Sequence, residues 1–511
     1  MIVPRPAVRL FWGFFALYAL TASGNAFRVP DEFEVYFQAE HLADAGDISV
    51  PQTLAIQEQG APIFFGEFGR DGRPYAPYGP GAAFLILPFH LAGRLVAAAA
   101  GIPRAPLPGG IAWEFVVGGI TSLAMAFAAA LAVAGFCRAA LALGAAPPDA
   151  VRLSIVLGAC TILWPYGKTL YCEAWLAAAF AWTAALLIER RRIAVAALLI
   201  ALAIVVKPTA IVVAPAFAVA VLCEPDLERR RRWRTIALVV VAIGAAGLVH
   251  VGWNLYRFGR LLDFGYNLAG MIPYPPARPF VLEQAPRGLF VQLLTPGKSI
   301  FVWAPAALLS VVALRSCWRL RRGLAVGVAF AIATALVFYA ALFLPEGGYA
   351  HGPRHLVPLV PLLLLPLAVP GIGVARRAVS ACAIAGFAIA ALAVTVSFFE
   401  DQSPVQIGGR AVSPYYERIE PGPGEANLRY RIDYVPFKFA LTSGHWLADT
   451  RAAGNGPDLF ALHLVQARRT LPGGDSIPAW LPWAVTLPWL MVLFTAAFSL
   501  RRSLALSAQL P

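Results

Sequence analysis

Long apolar stretches alternate with short polar segments along almost the whole chain. Apolar runs of 15 to 30 residues recur from end to end, which is the length that a helix needs to cross a bilayer. The polar segments between them are either short and rich in arginine or long and rich in Tyr, Gly and Pro. This pattern predicts an all-α polytopic membrane protein.

The arginine clusters set the expected topology, because short cytoplasmic loops carry an excess of basic residues. The clusters lie at 190–192, 229–232, 315–322, 376–377 and 501–502. Placing all of them inside predicts about 12 transmembrane helices, at 10–27, 111–137, 150–166, 174–189, 193–207, 209–223, 235–253, 301–314, 323–343, 356–370, 378–398 and 479–499. Both termini are then cytoplasmic.

The apolar run 81–100 conflicts with this topology. Counting it as a span would place Arg138 and the 190–192 cluster on the outer face. We therefore interpret it as an interfacial or re-entrant helix, with a true span as the alternative.

The apolar segment 193–223 is too long for one untilted span, and it contains Lys207-Pro208 near its middle. Lysine at the bilayer centre costs about 3 kcal/mol, and proline disfavours helix in the preceding residue, so a hairpin with Lys207 at the outer rim is predicted.

These spans divide the chain into three parts. Residues 1–398 form a transmembrane module whose first outer loop, 28–110, contains juxtamembrane helices. Residues 399–478 form a small outer insertion with strand-like alternation at 428–437, expected to pack over the first loop, and 479–511 hold the final span and a cytoplasmic tail.

Composition narrows the function. The net charge of +13 lies mostly in arginines between apolar runs, so it indicates orientation in a membrane and no nucleic-acid partner. The six cysteines show neither a disulfide framework nor zinc spacing. The long outer segments collect most of the unusual polar residues, and neither ATP nor nucleotide sugars are available on that face. Energy for any synthesis there must arrive in an activated lipid carrier.

Five motifs stand out along the chain: PDEFEVYFQAEHLADAGDISVP at 30–51, YGKTLYCE at 166–173, VVKPTA at 205–210, LLTPGKSIF at 293–301 and GGYAHGPRHLVPLVP at 347–361. In this order they resemble motifs of the C-type (GT-C) integral membrane glycosyltransferases, especially the aminoarabinose transferase of lipid A and the protein mannosyltransferases. The resemblance is clearest for 30–51, which is similar to the first periplasmic loop of these enzymes.

The resemblance implies transfer of a sugar from a polyprenyl-phosphate donor to a lipid, glycan or protein acceptor, with inversion at the anomeric carbon. It implies a bacterial inner-membrane protein with a periplasmic active site. The first-loop aspartate of the superfamily, a base or a metal-supporting carboxylate, falls on Asp31. Glu173 stands where the aminoarabinose transferase has an aspartate. Whether a divalent cation, Mg²⁺ or Mn²⁺, joins Asp31 to the donor phosphate stays open.

Glycosyl transfer needs a carboxylate to accept the acceptor proton. Asp31, Glu32 and Glu173 are the catalytic candidates, and Glu34, which shares a helix face with Asp31, is a substrate-binding candidate. The alternative is that Asp31 and Glu32 only cap a helix that begins near Pro30.

The departing phosphate needs positive charge. Lys207, Lys298 and Arg354 are the phosphate-binding candidates, and Lys168, His351 and His355 are further substrate-binding candidates. The alternative for the cations is snorkelling to lipid headgroups, which we expect for Arg257. The two histidines would ligate a metal only if helical, and the Gly and Pro between them favour a turn.

Tyr75 and Tyr78, in the turn-rich segment 72–80, are predicted either to stack on sugar or to anchor at the interface.

Two alternative functions would use similar residues. A transporter or flippase of lipid-linked sugars would also need basic groups in a membrane cavity, but we find no repeat of the kind common in transporters. A non-catalytic scaffold would not need carboxylates and cations from several separate loops.

Overall fold

The computed structural model describes residues 4–23, 30–58, 66–105, 110–265, 280–342, 345, 347, 350–395, 405–407, 410–412, 459–470 and 473–507. The protein is mostly helical. Its α-helices are α1 (Arg5–Leu20), α2 (Pro30–Ala45), α3 (Pro51–Glu58), α4 (Gly81–Ala99), α5 (Ile111–Thr121), α6 (Leu123–Ala142), α7 (Pro147–Ala159), α8 (Leu163–Tyr166), α9 (Glu173–Ile188), α10 (Ile193–Val206), α11 (Pro215–Leu222), α12 (Arg229–Phe258), α13 (Ala285–Leu294), α14 (Ile300–Trp303), α15 (Ala306–Leu320), α16 (Arg322–Ala340), α17 (Val360–Leu364), α18 (Arg376–Thr395), α19 (Phe460–Thr470), α20 (Leu481–Ala484) and α21 (Leu487–Ser507).

Short elements join these helices. Two antiparallel strand pairs are described, β1 (Glu67–Phe68) with β2 (Pro74–Tyr75) and β3 (Val405–Ile407) with β4 (Arg410–Val412). The first pair sets Glu67 opposite Tyr75. The 3₁₀ segments are Pro208–Val212, Leu282–Gln284, Arg354–Leu359, Leu365–Ala368 and Gly474–Ser476. The strand predicted at 428–437 lies outside the described residues.

Within the described part, six helical segments are long and apolar enough to cross a membrane, which indicates a membrane protein. They are Gly81–Ala99 (α4), Ile111–Ala142 (α5 with α6), Arg229–Phe258 (α12), Arg322–Ala340 (α16), Arg376–Thr395 (α18) and Leu481–Arg502 (α20 with most of α21). Five of them coincide with predicted spans, and the sixth is the run that we interpret as interfacial. The prediction of about 12 spans is therefore not confirmed.

Prolines interrupt two of the seven predicted spans that do not coincide with such a segment. Proline lacks the amide donor that a helix interior needs and clashes with the preceding turn. The predicted span 301–314 is divided between α14 and α15, with Pro305 between them, and the predicted span 356–370 consists of short helical and 3₁₀ segments. The predicted span 10–27 is α1, which begins earlier, at Arg5, and ends at Leu20.

The antiparallel pair α9 and α10 defines two ends of the helical bundle. At one end, α9 begins and α10 ends, and Lys207 Nζ lies 2.6 Å from Glu173 Oε1; we call it the site end. At the opposite end, Arg138 of α6 donates to Glu189 at 2.6 and 2.7 Å; we call it the basic end. The 16 residues of α9 separate the two ends by about 24 Å.

The chain reverses after Lys207, as the sequence predicts. From the site end it passes through Pro208–Val212 and α11. It then returns to the basic end, where Arg190 Nη2 lies 3.5 Å from Glu224 Oε1. Lys207 therefore sits at a turn, away from the middle of a span.

Helix α4 does not reach the basic end. At its start, Gly81 packs so closely on the backbone of Val205 that an added Cβ would lie 3.0 Å from the Val205 carbonyl carbon. Toward its other end, Arg94 Nη1 donates to Asp44 of α2 at 2.7 Å. These contacts favour the interfacial or re-entrant interpretation, although the length and composition of α4 alone would allow it to span.

The bundle interior is built on small residues, which let helices approach closely. At Gly135 of α6 an added Cβ would lie 2.7 Å from Trp182 of α9, whose indole Nε1 donates to Leu131 O at 2.9 Å. Helix α19, which lies in the predicted insertion 399–478, begins beside α1, where Phe460 N donates to Ala22 O at 2.7 Å. Tight packing of α6 on α9 fixes the position of Glu173.

Candidate active site

Four charged side chains from four separate segments meet at the site end. Arg354 Nε donates to Glu173 Oε1 at 2.8 Å, and its Nη2 donates to Asp31 Oδ1 at 3.0 Å. Lys207 Nζ donates to the same Glu173 oxygen at 2.6 Å. We call these four residues the ion-pair network. It joins two catalytic candidates to two phosphate-binding candidates.

Helix ends position three of its members. Asp31 lies in the first turn of α2 and Glu173 in the first turn of α9, where the helix dipole favours negative charge. Lys207 is the C-cap residue of α10, where the dipole favours a cation. Its backbone is extended, with φ −143° and ψ 113°, which is the conformation that the following Pro208 favours.

Arg354 is held by a tightly packed loop. Gly352 has φ +53°, and an added Cβ would lie 2.6 Å from Ile162 Cδ1 and 2.7 Å from the Trp303 ring, so this position requires glycine. Lys298 Nζ donates to Ala350 O at 2.7 Å. Tyr166 Oη donates to His351 O at 3.0 Å.

Tyr171 is a member of the site that the sequence analysis missed, although it lies in the quoted segment 166–173. The Arg354 guanidinium carbon lies 3.7 Å from the centroid of its ring, a cation–π contact. Burial raises the pKa of the Tyr171 hydroxyl well above its usual value. The ring therefore stays neutral and supports Arg354 without adding charge.

The two carboxylates differ in exposure. The Asp31 side chain is 33% exposed, whereas that of Glu173 is 1% exposed. Glu173 Oε2 is also buried and has no hydrogen-bond partner within the described part of the chain. Buried polar atoms without partners are rare in folded proteins, so this oxygen is an unused hydrogen-bond acceptor within the ion-pair network.

Other candidates make their contacts elsewhere. Glu32 Oε1 accepts from Leu170 N at 2.9 Å, so this carboxylate fixes the segment that precedes α9. Lys168 is buried and its Nζ donates to Val394 O at the end of α18. Glu34 is fully buried on α2. Both Lys168 and Lys298 bind carbonyl oxygens of the protein, so neither snorkels to lipid.

The ring of His355 stacks on Tyr339, with centroids 4.6 Å apart, and Tyr339 Oη contacts Thr209 Oγ1 at 3.1 Å, two residues from Lys207. Tyr75 is 1% exposed and its hydroxyl donates to Asp71 at 2.8 Å. Tyr78 is partly buried against the apolar core.

The expectation for Arg257 was wrong. Arg257 is 2% exposed instead of reaching lipid headgroups. Its Nη1 donates to Ala76 O at 2.6 Å and its Nη2 to Asn254 Oδ1 at 3.0 Å, while the guanidinium lies over the rings of Trp253 and Phe258. This arginine fixes the 74–77 turn to α12.

A second polar cluster, also missed, lies on the C-terminal half of α2. The Glu40 carboxyl lies against Glu114 of α5 and accepts from Gln52 Nε2 at 2.9 Å. Burial first, and then the neighbouring Glu114 carboxyl, raises the pKa of Glu40 to about 8. Arg104 lies 3.9 Å from Glu40 but donates to Asp44, so it offsets this effect weakly. Partners 74 residues apart could not be identified from the sequence.

Over the residues that the structure describes, no group of three or more His, Cys, Asp or Glu side chains is arranged to hold a metal ion. Asp31 contributes one carboxylate at the site end. A divalent cation there would therefore draw its other ligands from the donor phosphate and water.

Comparisons with protein-family models, with curated proteins and with solved structures give no match to this chain.

Proposed function

We propose that the protein is a membrane glycosyltransferase that moves a sugar from a polyprenyl-phosphate donor to a lipid, glycan or protein acceptor. The ion-pair network carries this proposal. It brings two carboxylates and two cations from distant parts of the chain to one end of the membrane helices. A proton acceptor next to phosphate-binding cations is what this reaction needs.

Asp31 is the proposed base. It is the more exposed carboxylate of the network and is bonded there only to Arg354. The acceptor hydroxyl oxygen attacks the anomeric carbon from the side opposite the phosphate, and its proton passes to Asp31. The bond between the anomeric carbon and the phosphate oxygen breaks, and its electron pair leaves with the phosphate.

Arg354 and Lys207 are the proposed phosphate-binding residues. Arginine offers a planar fork of donors and lysine a point charge, and bonds of this charged kind are stronger than neutral ones. When the donor phosphate binds, it competes with Asp31 for Arg354 Nη2. Loss of that ion pair frees the Asp31 carboxylate to act as a base, which couples donor binding to activation.

Glu173 is proposed to position the two cations. One of its oxygens accepts bonds from both Arg354 and Lys207, and the side chain is almost completely buried. A buried carboxylate in this arrangement offsets the charge of both cations and fixes their geometry.

The test is turnover by the purified full chain in lipid nanodiscs, with a polyprenyl-phosphate sugar labelled in the sugar. We expect label in the acceptor and one polyprenyl phosphate released per transfer. Transfer should be at least about a hundredfold slower in Asp31→Asn and retained in Asp263→Asn, whose carboxylate pairs with Arg260 away from the network. In sealed vesicles, a flippase would move the labelled lipid across the bilayer without breaking the sugar–phosphate bond. That result would contradict the transferase proposal and favour a flippase.

A further inference from the structure

A cavity opens at the basic end, far from the ion-pair network. Its volume is about 440 Å³, and it lies between α9, α10, α11, α12 and α16. Ile188 and Ile193 line it, whereas Glu173 and Lys207 lie at the opposite ends of the same two helices. A ligand in this cavity would therefore come from the leaflet opposite the proposed active site.

The cavity wall is mainly apolar, with charged residues at the rim. Phe217, Val221 and Leu324 are among the apolar lining residues. The rim arginines are Arg190, Arg231 and Arg321, and the rim acids are Glu224 and Asp226. An apolar interior beneath a charged rim fits a molecule with both an anionic and a hydrocarbon part.

Two of the rim arginines are available to a ligand. Arg190 is already engaged, because its guanidinium contacts Glu224 Oε1 at 3.5 Å and Asp226 O at 3.2 Å. The guanidinium groups of Arg231 and Arg321 make no hydrogen bond or ion pair with any described residue, and both residues are exposed. The rim therefore has positive charge that the protein does not neutralise.

The surroundings of the cavity face lipid. On α12, Val240, Val241 and Leu248 are 57%, 64% and 72% exposed. Near the rim, Trp233 and Trp318 are 54% and 50% exposed, and exposed tryptophans are typical of the boundary between membrane and water. The rim arginines thus sit at headgroup level, and the exposed face of α12 provides a path for acyl chains.

We propose that this cavity binds one anionic phospholipid. Arg231 and Arg321 hold the phosphate, the glycerol unit enters the cavity, and the acyl chains continue along α12. Basic pockets between membrane helices are known to bind anionic headgroups. The proposal does not depend on the enzymatic function, because it involves a different end of the bundle and other residues.

The experiment is native mass spectrometry of the full chain purified in detergent, titrated with phosphatidylglycerol or with phosphatidylcholine of the same acyl chains. We expect phosphatidylglycerol to bind about tenfold or more tightly than phosphatidylcholine. Both lipids carry a phosphate, but the choline cation neutralises it in phosphatidylcholine, whereas phosphatidylglycerol keeps a net negative charge that can pair with the arginines. The double variant Arg231→Gln with Arg321→Gln should lose this preference. The matched control, Arg230→Gln with Arg319→Gln, removes two exposed arginines that do not line the cavity and should keep it.

Three further arms test the cavity itself. Leu324→Trp enlarges an apolar lining residue and fills the cavity without changing charge, so it should also abolish tight binding. Asp226→Asn removes a rim carboxylate and should strengthen binding. Glycerol 3-phosphate, which lacks acyl chains, should not displace the lipid. Equal binding of the two phospholipids by the wild type, an unchanged preference in the arginine variant, or displacement by glycerol 3-phosphate would each overturn the proposal.

Discussion

Asp31 and Glu173 both pair with Arg354, but their environments suit different roles. Asp31 is one-third exposed and can meet an acceptor hydroxyl, whereas Glu173 is buried between two cations. A partly exposed carboxylate can exchange its partner for a substrate at little cost. A buried carboxylate that compensates two cations cannot be removed without leaving them unpaired.

A comparison of Asp31→Asn and Glu173→Gln separates these roles. Asp31→Asn should lower kcat by about 10²–10⁴-fold with little change in stability, because it removes a general base. Glu173→Gln should lower both activity and the free energy of unfolding, the latter by roughly 3 kcal/mol, since it leaves two cations without their shared anion. Transfer rates and thermal unfolding in detergent measure the two effects. Equal stability losses in both variants would contradict the assignment.

Arg354→Lys tests the arginine fork. Lysine keeps the charge but cannot bond to Asp31 and Glu173 in the observed geometry, nor lie flat over Tyr171. We expect a loss of about ten- to hundredfold in kcat/KM for the donor, corresponding to 1.5–3 kcal/mol. Arg260→Lys, at an exposed ion pair, is the control. Wild-type kinetics in Arg354→Lys would remove this residue from the phosphate site.

At the scale of elements, the loop before Arg354 depends on Gly352. Gly352→Ala should destabilise the protein by about 1–3 kcal/mol, because the left-handed backbone and the contact with Trp303 both exclude a side chain. Transfer activity should fall with it, since the loop holds Arg354. Gly373→Ala, where an added Cβ meets nothing within 4 Å, should leave both unchanged. Thermal unfolding and transfer assays provide the comparison.

Helix α4 can be tested by labelling single cysteines in a background without the six native ones. Arg70→Cys and Ala99→Cys should react with an impermeant reagent from the same side of the membrane, because both ends of α4 lie away from the basic end. Arg191→Cys should react only from the other side. Labelling of Ala99→Cys together with Arg191→Cys would mean that α4 spans the bilayer, contrary to its packing.

Long apolar helical segments were predictable, but short broken ones were not. Hydropathy located the segments 111–142 and 229–258 well, since a long apolar run has few alternative folds. It also predicted a single span over 356–370, where prolines divide the chain into short turns. Contacts with neighbouring helices stabilise such turns inside a bundle, and these contacts cannot be identified from the sequence.

For the whole molecule, the candidate site was predictable in its residues but not in its pairings. The arginine clusters and the Lys207-Pro208 pair predicted that Asp31, Glu173 and Lys207 lie on one face of the membrane. That Arg354 joins two of them across 323 and 181 residues of chain depends on tertiary packing. The burial of Arg257 and the Glu40–Glu114 contact depend on it too. Their positions required the structure.

Glu40 links the stability of the molecule to pH. Its folded-state pKa of about 8 lies above the ordinary value of 4.5, so folding favours the protonated carboxyl. The folded protein therefore holds more protons than the unfolded chain between these values. The stability from Glu40 is fully present below pH 4.5 and is lost as the pH rises through 8, by at most about 1.4 kcal/mol per pH unit.

Glu40→Gln imitates the protonated carboxyl at every pH, so its apparent unfolding temperature should fall less than that of the wild type between pH 5 and 8.5. At pH 8 and above the variant should be the more stable of the two. Glu283→Gln, at an exposed position, should follow the wild-type profile. Thermal scans of the detergent-purified chain decide the matter. Parallel profiles for wild type and Glu40→Gln would show that Glu40 is ionised in the folded protein, and that Arg104 compensates its charge more strongly than a 3.9 Å separation suggests.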